Sequence, residues 1–185
     1  MNGDTANILY RLNHWDEIIF VNEGWTSFAL SNDGPDLVPD RVLRRPLWNF
    51  ITDVTTQALY RDILDKVRAG HTLRFTFRCD APERERLYEM TVSPQAGEVV
   101  QFETQLLWSQ ERPTQNLIAR DAPRSLDLLH ICGWCLRVDT GGPTWQGIEE
   151  AVNSLRLFER SEFPKLLHEM CDDCYAAVSK LVARA

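Results

Sequence analysis

Four of the five cysteines form two Cys-x2-Cys pairs in the last third of the sequence: Cys132 with Cys135, and Cys171 with Cys174. A tight turn within such a pair directs both sulfurs toward one point, and two pairs supply the four thiolates of a tetrahedral zinc site. We therefore predict a four-cysteine site with zinc as its metal, while noting that four thiolates also suit iron. Because a shell of four cysteines leaves no open coordination position, the predicted zinc is structural and not catalytic.

Two histidines lie close to these cysteines, and the pairs themselves have an alternative chemistry. His130 and His168 are two and three residues from a predicted ligand, so each is either a surface side chain or a contributor to the metal shell. Cys-x2-Cys pairs also serve in thiol-disulfide exchange and in redox sensing. An exchange motif should begin a helix after a strand, whereas residues 127–129 before Cys132 and 137–142 after Cys135 predict loops. The metal site is therefore the first hypothesis, and thiol redox chemistry is the alternative.

The composition is that of a folded chain, with 44% hydrophobic and 25% charged residues among 185 and a net charge of −7. The sequence contains no apolar run of membrane-spanning length and no signal-peptide pattern, so we predict a cytoplasmic protein without a membrane partner. Structural disulfides are not expected in that compartment. The negative charge disfavours nucleic acid as a partner, and the common catalytic motifs are absent, so we predict that the protein is not an enzyme.

The hydrophobic periodicity predicts a mixed fold in the first 108 residues. Alternating apolar residues up to Val21 predict a hairpin, followed by a helix capped by Asn22 that ends near residues 32–35. A longer helix, capped by Thr52 or Asp53, should end near Ala69. Three strands are then predicted over residues 72–79, 84–93 and 99–108. This order predicts an α+β fold with a five-stranded antiparallel sheet and helices on one face.

Residues 16–25, 77–82 and 90–94, taken within this order of elements, resemble a bacterial PAS sensory domain over residues 7–108. The resemblance implies a sheet and helices that enclose a pocket for a small ligand, and a role in signalling. The candidate lining is largely aromatic, and the alternative is that these side chains simply form a packed core. The candidate residues are Trp25, Phe28, Trp48, Phe50, Tyr60, Phe75, Phe77, Met90 and Phe102, with Arg78 as a polar contributor.

We predict three parts: a PAS-like sensory domain at residues 1–108, a linker at 109–127 and a small, mainly helical zinc-binding domain at 128–185. Within the last part, Thr144 is predicted to cap a helix over residues 145–157, Pro164 to end the loop that follows, and a final helix to begin at the second cysteine pair. Since the chain contains no recognisable output domain, we expect a non-catalytic sensor or adaptor. Such a protein would act as a homodimer or through a signalling partner.

Overall fold

The computed structural model describes residues 7–32 and 34–185, so Asp33 and residues 1–6 of the predicted sensory domain lie outside the described residues. The strands, in chain order, are β1 (Ile8–Leu12), β2 (Ile18–Val21), β3 (Leu73–Arg78), β4 (Arg84–Gln95), β5 (Val99–Glu111), β6 (Arg124–Cys132) and β7 (Phe163–Glu169). The α-helices are α1 (Glu23–Ser31), α2 (Pro39–Val42), α3 (Val54–Arg68), α4 (Ile148–Ser154) and α5 (Asp172–Arg184). Short 3-10 turns occupy Pro35–Leu37, Leu47–Asn49, Asn116–Ile118 and Leu157–Glu159.

The first five strands form one antiparallel sheet in the spatial order β2-β1-β5-β4-β3. This arrangement confirms the predicted α+β class. Burial alternates along β4 and through the first half of β5, because successive side chains point to opposite faces and the inward face is apolar. Strand β3 lies at one edge of this sheet, so it has one side available to a further partner.

Local capping explains where the two longer N-terminal helices begin. The Asn22 side chain accepts a hydrogen bond from the Trp25 backbone N–H at 2.9 Å, and Asp53 accepts one from the Thr56 N–H at 2.7 Å. Both caps were predicted, with Asp53 rather than Thr52 in the second. Helix α3 ends at Arg68 and is followed by Gly70 with a φ of +102°, a left-handed conformation that glycine adopts readily.

The C-terminal part contains strands that the sequence analysis did not predict. Strand β6 pairs in parallel with β7, so residues 127–129, interpreted as loop, are strand, and Pro164 lies within β7 instead of ending a loop. Helix α4 is shorter than predicted: it begins after Gly147 and not after Thr144. Within the predicted linker 109–127, β5 continues to Glu111 and β6 begins at Arg124. The domain boundaries themselves stay a prediction.

One cluster of buried side chains extends from the sheet into the C-terminal part. Phe102 of β5 and Ile63 of α3 belong to the same cluster as Trp134 and Val178 of α5. A second and smaller core lies between β6 and α4, around Ile131. The segment with the cysteines is therefore packed on the sheet and on α3 through a shared apolar core.

Candidate metal centre

The first cysteine pair lies in a tight turn directly after β6. The Cys132 backbone N–H donates to the Arg137 carbonyl oxygen at 2.7 Å, and the Leu136 N–H donates to the Cys132 carbonyl at 2.9 Å. To close this turn, Leu136 takes a φ of +60°, a left-handed conformation that is uncommon for a residue with a side chain. The turn brings both sulfurs of the pair to the same side.

The second pair begins helix α5. Cys171 is the residue that precedes the helix, and Cys174 lies in its first turn. The backbone N–H groups at the start of a helix carry partial positive charge, which favours the thiolate forms of nearby cysteines. Strand β7 leads directly into this helix, so the parallel pairing of β6 with β7 brings the two cysteine pairs together.

The four sulfurs form one compact group, in which all the Sγ atoms lie within 4.8 Å of one another. The Sγ atoms of Cys135 and Cys171 are 3.8 Å apart. A tetrahedron with a metal–sulfur distance of about 2.3 Å requires sulfur–sulfur separations of about 3.8 Å. The donor set and its spacing therefore fit a tetrahedral metal ion, and the predicted cysteine cluster exists in the fold. The identity of the metal stays a prediction.

The surroundings of the sulfurs differ from one cysteine to the next. Cys132 and Cys171 are buried, whereas Cys135 and Cys174 are partly exposed. Two N–H groups point at sulfur: the Arg137 Nε donates to Cys135 Sγ and the Cys171 N–H donates to Cys132 Sγ, each at 3.4 Å. Such donors orient thiolates and spread their charge. Arg137 also pairs with Asp173 at 3.1 Å.

The acid–base properties of the thiols show how closely they interact. A hydrogen bond with Cys132 lowers the pKa of Cys135, while a hydrogen bond with the same residue raises the pKa of Cys174. Burial raises the pKa of Cys171 to about 11. Four thiolates this close repel one another, so some thiols keep their protons unless a cation balances the charge. A metal ion at the centre would take the place of those protons.

Neither neighbouring histidine belongs to this group. In the part of the chain that the structure describes, the four cysteines are the side chains that come together there. The Nδ1 atom of His130 lies 3.0 Å from Glu169 Oε1, and His168 is exposed on β7. Both histidines are thus side chains near the site, and a complete shell of cysteines is available without them.

Trp134, between the first two cysteines, connects the cysteine cluster to the sheet. Its Nε1–H donates to the Thr76 carbonyl of β3 at 2.9 Å, and its own carbonyl accepts from the Arg78 N–H at 2.7 Å. Its ring centroid is 4.9 Å from that of Phe75 and 5.9 Å from that of Tyr60. The first cysteine turn therefore pairs with part of the free side of edge strand β3.

The residues predicted to line a ligand pocket separate into two groups. Four of them, Trp25, Phe28, Phe77 and Met90, line an apolar cavity of about 190 Å³ between α1 and the sheet. Arg78 and Arg86 are not among its lining residues, and Arg86 lies across the Phe28 ring with its guanidinium carbon 5.1 Å from the ring centroid. The cavity is thus apolar, although polar residues were expected beside it.

The other predicted lining residues lie elsewhere. Phe75 and Phe102 are buried in the main core, and Tyr60 and Phe50 pack against it. Trp48 is stacked under Arg61 and donates to Asp16 at 3.1 Å. Arg78 forms the expected ion pair with Asp80, whose side chain is fully buried and also lies 3.1 Å from Arg112.

Sequence reasoning missed two contributors to the metal centre. Arg137 and Trp134 were not singled out, although each lies within two residues of a cysteine. A basic residue two positions after a cysteine pair is a usable signal for a thiolate donor. The docking role of Trp134 has no local signal, because its partners in β3 and α3 are about 60 residues away. No protein-family model and no curated protein matches the chain.

In residues 7–32 and 34–185, no helix combines the length and the apolar character that a bilayer span requires.

Proposed function

We propose that this chain is a non-catalytic sensor or adaptor in which a structural zinc ion holds the C-terminal part against a PAS-like sheet domain. The observation that carries the proposal is the group of four cysteine sulfurs within 4.8 Å of one another. Shells of four cysteines are typical of structural zinc, because they leave no position for a reactive water molecule. Zinc fits because it accepts four thiolates in tetrahedral geometry.

The position of this centre supports a structural role. Trp134 and helix α5 pack on β3 and α3, and their apolar side chains join the core of the sheet domain. Loss of the metal would leave four thiols at this junction and would weaken the contact between the two parts. Metal binding energy in such sites is folding energy. We therefore expect the metal to control how firmly the C-terminal part stays on the sheet.

The sensory part of the proposal is supported by the cavity between α1 and the sheet. An enclosed pocket on the inner face of the sheet is what the PAS resemblance implies. Its volume of about 190 Å³ and its aromatic lining suit a small apolar molecule. A cytoplasmic homodimer, or a signalling partner in trans, would carry the output, and the mass of the zinc-loaded protein in solution distinguishes dimer from monomer.

The decisive experiment is elemental analysis of the protein purified without added metal. We expect about one zinc per chain, and loss of that zinc in Cys132→Ser and Cys171→Ser. Cys79→Ser is the matched control, since Cys79 lies outside the cluster. Iron at the site would overturn the choice of zinc, and a metal-free protein with native far-ultraviolet circular dichroism would overturn the structural centre.

Thiol redox chemistry is the second candidate, and the partial exposure of Cys135 and Cys174 favours it. An exchange enzyme would reduce insulin disulfides while its metal stays bound. A redox sensor would instead lose zinc on treatment with hydrogen peroxide and recover it after reduction. Neither activity is expected if the centre is purely structural.

A further inference from the structure

A second cleft, distinct from the apolar cavity and from the inside of the cysteine cluster, lies between the sheet domain and the C-terminal part. It has a volume of about 520 Å³, and its basic side chains come from separate segments. Arg78 comes from β3, Arg120 and Arg124 from the connection into β6, and Lys165 from β7. A concentration of four cationic groups is unusual in a chain with a net charge of −7.

The acidic residue in the lining does not cancel this charge. Asp80 is fully buried and is already compensated, because it pairs with Arg78 and lies 3.1 Å from Arg112, which points in from outside the cleft. Its Oδ1 also accepts from the Arg86 backbone N–H at 3.0 Å. The carboxylate thus has cationic partners on both sides, and the cleft keeps an excess of positive charge.

The other cations have little compensation within the described residues. Arg124 donates to three backbone carbonyls, those of Leu117, Ala119 and Pro164, at 2.6 to 3.0 Å, and these hold its guanidinium in place without neutralising it. Arg120 is 4.0 Å from a highly exposed Asp36, and Lys165 has no ion pair among the residues that the structure describes. The cations are therefore held on a folded framework and are available to an anion.

The rest of the lining is apolar and adjoins the metal centre. Ile118, Ile131, Leu136 and Leu166 contribute hydrocarbon surface, and Gly133 of the first cysteine turn contributes backbone. A ligand that fits this surface carries both negative charge and an apolar body. Three arginines favour phosphate over a single carboxylate, because a phosphate monoester carries more charge and accepts paired hydrogen bonds from guanidinium groups.

We propose that this cleft binds a small phosphate monoester, with the phosphate against Arg120, Arg124 and Lys165 and the apolar part of the molecule against the hydrocarbon surface. Because both parts of the chain line the cleft, the ligand would bridge them beside the cysteine cluster. The proposal goes beyond the structural metal centre and does not depend on which metal is bound.

The test uses the full-length, metal-loaded protein and phenyl phosphate as the probe, followed by amide chemical shifts in NMR. We expect saturable shifts at Gly133, Leu136 and Lys165. Binding should weaken about tenfold in Lys165→Glu and in Arg120→Glu, since each reverses a charge close to the phosphate. Lys180→Glu is the matched control: it makes the same charge change on an exposed site of α5 and should leave the affinity unchanged.

Two further probes separate the charge from the apolar contact. Inorganic phosphate should bind at the same residues but more weakly, and phenol should not bind there. Equal weakening in Lys180→Glu, shifts confined to the cavity between α1 and the sheet, or no shifts at millimolar probe would each overturn the proposal. Metal content is measured on the same samples, so a missing metal centre is detected separately from a missing anion site.

Discussion

Replacing Trp134 by alanine tests whether the metal-bearing segment and the sheet share one core. Trp134 is only 7% exposed, donates a hydrogen bond to the Thr76 carbonyl and contacts the rings of Phe75 and Tyr60. Truncation of a buried tryptophan to alanine costs about 3–5 kcal/mol. The hydrogen bond contributes about 1 kcal/mol of this, and each ring pair about 0.5–1.5 kcal/mol. We therefore expect Trp134→Ala to lower the free energy of unfolding by about 4 kcal/mol.

The assay is urea denaturation followed by far-ultraviolet circular dichroism at a fixed free zinc concentration, because bound metal adds to the apparent stability. Trp134→Phe keeps a ring beside Phe75 but removes the donor to Thr76, so we expect a smaller loss of about 1–2 kcal/mol. Trp15→Ala is the control, since Trp15 is 68% exposed and its loss should change stability by less than about 0.5 kcal/mol.

The stability and the metal content of Trp134→Ala must be compared. Trp134 is not a ligand, so the variant should still bind one metal per chain while it unfolds at lower urea. A loss below about 1 kcal/mol with the metal retained would refute the shared core. Two separate transitions in the unsubstituted protein would refute it as well, because they would mean that the two parts unfold independently.

Two further predictions concern ionisable groups. Asp80→Asn should destabilise the fold by about 3 kcal/mol, since it leaves Arg78 and Arg112 without their buried carboxylate, whereas Asp127→Asn, which removes an exposed ion pair with Arg160, should change it by less than about 0.5 kcal/mol; an equal effect in thermal denaturation would contradict this. Burial raises the pKa of Tyr60 to about 12, so its phenol stays protonated in the folded protein while that of the unfolded chain ionises near pH 10. The resulting stability is complete below about pH 10 and is lost as the pH rises toward 12. Tyr60→Phe should therefore flatten the loss of stability between these values in denaturation experiments, Tyr175→Phe on the exposed face of α5 should not, and identical alkaline profiles for all three proteins would disprove the assignment.

Local patterns predicted most of the first 108 residues correctly. The caps Asn22 and Asp53 and the alternation along β3 and β4 act within a few residues, so their structural consequence is visible in a short window. The cysteine cluster was also predictable, because the spacing within each pair is a local property. The prediction of a pocket was only a composition argument, and it grouped aromatic residues that lie in different parts of the core.

Local patterns were insufficient where long-range partners decide the structure. Strand β6 was interpreted as loop because Leu126 and Leu128 alternate with polar residues beside prolines, and its pairing with β7 across more than 30 residues is absent from any local window. Parallel strands need such a crossover. The start of α4 after Gly147 likewise depends on the backbone bridge between Val138 and Gln146, which holds the chain until that point.

The amino-acid sequence was sufficient to predict the α+β class, the helix caps and the four clustered cysteines, because each depends on residue type and short spacing. The fold was needed to establish that Trp134 docks on strand β3, that Asp80 is buried between two arginines and that basic side chains from three segments line one cleft. These features join residues that are distant along the chain. Their proximity is a consequence of strand order and of the shared core, and residue type alone does not encode it in any single segment.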